Sequence, residues 1–453
     1  MASIRKRNDK YSVIYSYIDE NGNRKQKWET YPTRAEALRR KKEIEFKQNL
    51  GNFVVRNCKT VEELIGEYIT LYGKENWTYS TYEGNMGVIN NYILPIIGNV
   101  KLEDINTRFI EQYYKKLLIT PSVINSATGK KKHEYVSPST IKDIHKILRS
   151  CFKQAVKWEL IEKNPCTLAS VPKHKTQHRE IWNAETIFYA IDVCEDERLK
   201  LAINLAFSCT LRMGELLGLT WDCVDISTEA IEENRSYIFV NKEVQRIKKS
   251  SLDTLDAKDI LYVFPSSHTK NTTLLVLKIP KTESSVRKVF LPRSVAEMLQ
   301  KWKRKQLNTK AILGEEYNDY NLVMTSEFGS PLESGTIRVS FNKLIEEHHL
   351  PKVVFHSLRH SSVTYKLKLN KGDIKAVQGD SGHSQTDMVT DVYSHIIDED
   401  RKKNAELFED AFYKKNNLEP NMVSEEVDME LLMKALANPE MRALLNSLAK
   451  TMK

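Results

Sequence analysis

The sequence predicts a multidomain protein, mainly α with small β-sheets. Three observations carry that expectation. The chain has 453 residues, 41% hydrophobic and 28% charged, an ordinary globular balance with material for two to four packed domains. The apolar spacing changes along the chain, from period-two alternation near the N-terminus, through helical periodicity, to short β-like runs followed by helices. Polar stretches at 120–136 and 171–178 separate these blocks.

The first segment reads as a three-stranded sheet plus a helix. Tyr11, Val13, Tyr15 and Tyr17 alternate along one strand face, and Asn21-Gly22 signals a two-residue hairpin from which Arg24–Tyr31 pairs back. Thr33 is an N-cap for a helix over Arg34–Lys47, with Glu36 at capping-box spacing. Residues 1–50 hold 13 Lys/Arg against 7 Asp/Glu, a net of +6 in a chain of net +9. A basic sheet of this size suits a DNA groove; a solvated basic surface is the alternative. Arg5, Lys6, Arg7, Arg24, Lys25 and Lys27 are its candidate DNA contacts.

The second segment, from about Cys58 to Cys166, reads as all-helical. Thr60 caps a helix through Leu71, and helical patterns recur at Tyr79–Tyr92, Asn106–Leu118 and Pro138–Leu160. Ser139-Thr140-Ile141-Lys142 opens the longest of these, with Ile144, Ile147, Leu148 and Phe152 on one face; Ser139, Thr140 and Lys142 are further candidate DNA contacts. Asn164-Pro165 stops the segment and Val171–His178 is a linker.

The third and largest segment, about Arg179–Tyr413, starts with helices. Short β-like runs follow at Tyr237–Val240, Tyr262–Pro265, Leu274–Ile279 and Arg287–Leu291, and helices return from Ser294. Residues 417–453 hold 4 Lys/Arg against 6 Asp/Glu, a net of −2. Their Leu431, Leu432, Leu436, Leu444, Leu445 and Leu448 form an amphipathic pattern broken near Pro439. Two readings stay open for this tail: a cap on its own domain, or a helix docked on a neighbouring protomer.

Several classes are disfavoured. Apolar stretches such as Leu201–Phe207 are far too short to span a bilayer. No apolar region follows the opening Met-Ala-Ser-Ile-Arg-Lys-Arg, so a cytoplasmic protein is expected. Cys58, Cys151, Cys166, Cys194, Cys209 and Cys223 form no Cys-x-x-Cys pair. Reduced, buried thiols are therefore expected, with no metal and no cofactor.

Four stretches carry chemistry. In Cys209-Thr-Leu-Arg212-Met-Gly-Glu215, an arginine among apolar residues at a helix start needs an anion, either a phosphate or Glu215 itself. Lys281, in Pro280-Lys-Thr-Glu-Ser-Ser-Val-Arg, sits at the tip between two short strands as a mobile cation or proton donor. His356 and Arg359, three apart, share a helix face. Ser381-Gly-His383 precedes Tyr393. Each is weak alone, since the chain has 20 tyrosines and many lysines.

In this order the four stretches are specific, and the chain resembles the tyrosine recombinase (phage integrase) family, particularly integrases of Gram-positive phages and conjugative transposons. The resemblance covers nearly the whole chain. It implies an arm-site DNA-binding domain at 1–56, a SAM-like core-binding helical domain at 58–169, a mixed α/β tyrosine-recombinase catalytic domain at 179–416 and a C-terminal tail at 417–453. It places the family's six catalytic roles on Arg212, Lys281, His356, Arg359, His383 and Tyr393, with Glu215 as the structural glutamate. It implies site-specific integration and excision of a mobile element through a 3′-phosphotyrosine. The implied partners are double-stranded DNA attachment sites, a homotetramer on two such sites, an excisionase and a host DNA-bending protein. A type IB topoisomerase and a non-catalytic DNA-binding protein are the competing readings; the N-terminal basic domain weighs against the first and the complete residue set against the second. Two positions depart from the family: Thr210 replaces a glycine and Ser381 a leucine. Both bear on local backbone geometry.

Overall fold

Strands β1 (Ser3–Arg7), β2 (Lys10–Ile18) and β3 (Arg24–Tyr31) form an antiparallel sheet in the order β1-β2-β3. The computed structural model that shows this describes residues 2–18, 24–49, 58–124, 129, 131, 133–173, 180–266, 271–370, 373–382, 433 and 437–451. The expected Asn21-Gly22 turn lies outside the described residues, yet the ladder runs in register from Tyr11↔Tyr31 to Ile18↔Arg24. Helix α1 (Arg34–Asn49) begins where Thr33 accepts the Glu36 N–H at 3.3 Å. It packs Ala37 and Ile44 against Val13 and Tyr15.

The second unit is helical throughout: α2 (Val61–Tyr68), α3 (Lys74–Asn76), α4 (Tyr79–Val88), α5 (Leu94–Ile97), α6 (Thr107–Leu118) and α7 (Pro138–Lys157). Thr60 caps α2 as expected, and Glu63 completes the cap reciprocally. Asn106 caps α6 through the Phe109 N–H. Two helices run beyond their expected ends, because wide π-turns at Ile69–Gly73 and Ile89–Ile93 carry them on into α3 and α5. The second turn lies just ahead of Pro95, whose ring would clash with a regular α-helical turn. The side-chain cap of α7 is Ser137, two residues before the expected opening. Asn164 closes the unit by donating to the Arg149 carbonyl and accepting from the Cys166 N–H.

The third unit has helices α8 (Ala184–Val193), α9 (Glu197–Ser208), α10 (Met213–Leu217), α11 (Thr228–Glu232), α12 (Lys249–Thr254), α13 (Arg293–Leu313), α14 (Ser334–Glu347), α15 (Ser357–Leu369) and α16 (Ile374–Ser381). Its strands are β4 (Val224–Asp225), β5 (Tyr237–Val240), β6 (Glu243–Lys248), β7 (Ile260–Val263), β8 (Thr273–Lys278) and β9 (Arg287–Phe290). They form two sheets, β4-β5-β9 and β6-β8-β7. The sequence did not predict β6. Only its Val244 and Ile247 are buried, so no period-two pattern betrays it. One apolar core, including Leu201, Leu205, Leu216, Ile238, Val289, Phe341 and Leu358, joins α9, α10, α14, α15 and the first sheet.

The second and third units touch through a small apolar cluster of Tyr79, Ile247, Leu255 and Val276. Glu83 of α4 accepts the Lys248 N–H at 2.8 Å beside it. In the tail, the pattern breaks near Pro439 as expected: a bend at Asn438 precedes helix α17 (Pro439–Thr451), with Asn438 accepting the Glu440 N–H. Proline at the first helical position costs no hydrogen bond. Leu431, Leu432 and Leu436 lie outside the described residues. Among the described residues no helix is long and apolar enough to cross a membrane.

Candidate active site

Arg212 stands immediately before α10. Its backbone N–H donates to the Glu215 carboxylate at 3.0 Å and its Nη1 donates to the same group at 2.6 Å. Glu215 is 2% exposed and also accepts from Arg287 Nη2 at 2.9 Å. Burial alone would raise the Glu215 carboxyl, but Arg287 and Arg212 outweigh it and hold the group below the usual carboxylate range. The carboxylate alternative raised for Arg212 is therefore real. It leaves the arginine side chain one-third exposed, with Nη2 donating to the Gly382 carbonyl at 3.2 Å.

Arg359, in the first turn of α15, is 1% exposed. Its Nη1 donates to the Thr210 carbonyl and its Nη2 to the Ser381 carbonyl. Burial, followed by repulsion from Arg212, pushes this guanidinium down to about 9, still protonated at neutral pH. Thr210, which replaces the family's glycine, sits at φ +56°, in the left-handed region that disfavours β-branched residues. Its hydroxyl shares a 3.0 Å hydrogen bond with Ser362, and its carbonyl faces Arg359. Gly382 caps α16 at φ +62°; a Cβ there would lie 2.9 Å from the Ser284 carbonyl and 3.0 Å from Arg287 Nη1. That position needs a glycine. Ser381, in place of a leucine, is fully buried.

Lys281 is exposed on the lip of a cleft of about 560 Å³, whose lining includes Arg212, Gly382, Lys278, Arg246 and Arg338. Thr78 and Ser80, at the start of α4, line it from the helical unit. Lys281 was expected at the tip of a strand pair. The strands flanking it, β8 and β9, belong to different sheets, so it lies on a crossover between them. A crossover, unlike a hairpin, is not held by its own ladder, and other contacts must fix this loop. His356 and Arg359 do not share an environment as their spacing suggested. His356 is exposed at the N-terminal boundary of α15 with its ring edge-on to His360 at 4.9 Å, whereas Arg359 turns inward. His383 and Tyr393 lie outside the described residues.

The candidate DNA contacts divide by register. Directly paired residues share a sheet face. Lys6, Lys25 and Lys27 pair with Tyr11, Tyr17 and Tyr15 and so lie on the face that packs α1, not on the open one. Arg5, Arg7 and Arg24 pair with Ser12, Lys10 and Ile18 on the open face. Trp28, 49% exposed, shares that face, with the Arg5 guanidinium 6.0 Å from its ring. Ser139 and Lys142 are exposed on α7, while the half-buried Thr140 hydroxyl pairs with Ser137.

Arg287 escaped the sequence reading. It is 7% exposed and donates to the Asp380 carbonyl at 2.8 Å, the Ser285 carbonyl at 2.9 Å and Glu215. The available signal was the alternation Ser285, Arg287, Val289, Leu291, all buried, which puts an arginine where β9 faces the core. All six cysteines are described, buried and unpaired. Among the described residues no three His, Cys, Asp or Glu side chains converge as a metal site.

Comparison with known proteins follows the same division. The phage integrase family profile matches residues 263–400, and the profile of the phage integrase N-terminal SAM-like domain matches residues 60–118. The first span contains Lys281, His356, Arg359, His383 and Tyr393 but begins after Arg212. A tyrosine recombinase XerC-like protein of Caldanaerobacter subterraneus is 28% identical over 345 residues, covering 74% of this chain and 78% of that protein. The ICEBs1 integrase of Bacillus subtilis is 22% identical, covering 73% and 77%. A solved structure of the Tn1549 transposon integrase with a circular intermediate DNA superposes with a TM-score of 0.56 at 19% identity, over 77% of this chain and 99% of that one. The fold is shared with that structure.

Proposed function

Because the chain belongs to the phage integrase family of tyrosine recombinases, enzymes that cleave and rejoin DNA, we propose that it integrates and excises a phage or conjugative transposon at specific attachment sites. The observation that carries this reading is the convergence of Arg212 and Arg359 on the 381–382 backbone, directly ahead of His383 in sequence. Two guanidiniums beside a basic cleft form a receptor for one phosphodiester.

In the proposed reaction the Tyr393 oxygen attacks phosphorus as its proton passes to His356. The P–O5′ bond breaks, Lys281 protonates the leaving 5′-oxygen, and a 3′-phosphotyrosine remains. Arg212 and Arg359 neutralise the non-bridging oxygens and His383 donates to one of them; losing either arginine costs about 3 kcal/mol or more of transition-state stabilisation. Arg359 must exchange a backbone carbonyl for the phosphate to do so. Attack by a second 5′-hydroxyl reverses the chemistry and reseals the strand. The ester is conserved in the protein–DNA link, so the balance needs no cofactor.

The open face of the N-terminal sheet, with Arg5, Arg7, Lys10 and Arg24 and no acidic residue, suits arm-site DNA. The helical unit, through Ser139 and Lys142, takes the core site. A homotetramer on two sites, acting on chromosomal and element DNA in the cytoplasm, with an excisionase and a host bending protein, completes the reading. The test is a nicked suicide duplex carrying the core site. Wild type traps a covalent adduct and Tyr393→Phe does not; an adduct that survives that substitution removes the nucleophile assignment. Relaxation of any supercoiled plasmid, regardless of site, would replace recombination with topoisomerase activity.

A further inference from the structure

We propose that Arg287 is a positioning residue that fixes the Lys281 loop against Arg212 and the 380–382 backbone, so that the loop's lysine is delivered to the leaving oxygen. This rests on the recombinase reading above.

Three chain segments meet at this one buried guanidinium. Nη1 holds the Ser285 carbonyl, at the end of the 3₁₀ turn Glu283–Ser285 that directly follows Lys281 and Thr282. Nη2 holds Glu215, which in turn holds Arg212. Nε holds the Asp380 carbonyl, two residues before Gly382. The planar fork makes these bonds in fixed directions, which a lysine's single ammonium cannot reproduce. The need for such a tie follows from topology. The Lys281 loop crosses between two sheets and has no ladder of its own. Thr282 and Ser285 bond each other at 2.8 Å, and Ser285 lies 3.5 Å from Arg212 Nη1, so a displaced loop also loses contact with the phosphate-binding arginine. Arg287 itself does not line the cleft. Its effect on the reaction passes through Lys281.

The experiment compares two suicide substrates in single-turnover cleavage by the full chain: an ordinary duplex, and one with a 5′-bridging phosphorothiolate at the scissile bond. A thiol ionises near pH 8.5, so its thiolate leaves without a proton, whereas the 5′-alkoxide needs an acid. Arg287→Lys is expected to slow adduct formation on the oxygen substrate by about 100-fold or more, the scale of a lost general acid. On the sulfur substrate it is expected to stay within about fivefold of wild type, on the same scale. The dissociation constant for uncleaved DNA should not change, and Lys281→Ala should reproduce the pattern. The ratio of the two rates comes from one preparation, so it does not depend on the folded fraction; Arg287→Gln serves if the lysine variant does not fold. Equal slowing of both substrates makes Arg287 a general structural residue and overturns the proposal, as does an unchanged oxygen rate. Failure of the recombinase reading looks different: wild type then forms no adduct on either substrate.

Discussion

Replacing Glu215 by glutamine tests the electrostatic frame of the site most directly. The carboxylate is 2% exposed and accepts from Arg287 Nη2, Arg212 Nη1 and the Arg212 backbone N–H at 2.9, 2.6 and 3.0 Å. Glutamine keeps one acceptor oxygen but turns an NH₂ group toward donors. It also leaves Arg287, 7% exposed, with no carboxylate in this network. Breaking a buried pair from one side costs about 3–5 kcal/mol; the retained acceptor puts the expectation near 3 kcal/mol. Urea unfolding followed by tryptophan fluorescence, with Trp182 in the same core, should show a midpoint about 1 M lower, taking a slope of about 3 kcal/mol/M. The sign of the pH dependence follows from the lowered folded-state value. The stabilisation is complete above the unfolded-state value near 4.3 and is lost as pH falls through the folded one. The wild-type advantage therefore persists from pH 7 to about 5 and narrows as the pH falls below that. A deficit under about 1 kcal/mol at pH 7, or one equally wide at pH 3.5, would refute the reasoning, because a charge-independent packing loss behaves that way.

Two predictions concern the N-terminal unit. Glu29 accepts from the Tyr15 hydroxyl, the Tyr31 hydroxyl and Arg40 Nε; burial opposes its ionisation, but Arg40 and the two tyrosines hold it down at about 2. Its contribution is present above pH 4.3 and disappears as pH falls through 2, so amide hydrogen exchange in β2 and β3 should separate wild type from Glu29→Gln strongly at pH 6 and weakly near pH 2.5; equal separation at both would exclude the charge as its source. On arm-site DNA, Arg5→Ala, Arg7→Ala and Arg24→Ala should each reduce the slope of log affinity against log salt by about 0.9. Lys25→Ala, on the helix-side face, should leave it unchanged, and a slope that falls as much for Lys25 as for Arg24 would place the DNA on the wrong face.

What was legible in the sequence depended on whether the information was local. The cap at Thr60, the helix start at Asn106 and the strand Tyr237–Val240 were read at their positions because a few neighbouring residues decide them. Helix extension through the π-turns was not, since an apolar pattern with period 3.6 breaks where the helix widens. The two-sheet topology around Lys281 depends on pairings between β5, β8 and β9 that no local pattern encodes. The Thr210 departure was visible as an oddity, and the structure gives its meaning: its backbone is still left-handed, tied down by Ser362 and Arg359. Arg287 was hidden among the chain's 69 Lys and Arg residues, because only strand register tells an inward guanidinium from a solvated one.

In the proposed reaction, the charge balance of the buried network gives the arrangement its catalytic sense. Glu215 accepts from both Arg287 and Arg212, and Arg359 stands beside them, so the buried Arg287–Glu215 pair is neutral and Arg212 and Arg359 carry the two remaining positive charges of this network. The depressed value of Arg359 comes first from burial and then from repulsion by Arg212, with Glu215 opposing it and Arg287 adding to it. A phosphodiester entering the cleft brings one negative charge and relieves half of the remaining positive charge. The pentavalent transition state carries about one more on its equatorial oxygens and relieves the rest. The pairing is then better in the transition state than with bound substrate, and only an interaction that strengthens in this way speeds the chemical step. Glu215 sets this difference. Without it the site would hold three uncompensated cations and bind any phosphate tightly in the ground state. A second carboxylate would leave one cation, enough for the substrate but not for the additional charge that develops during attack.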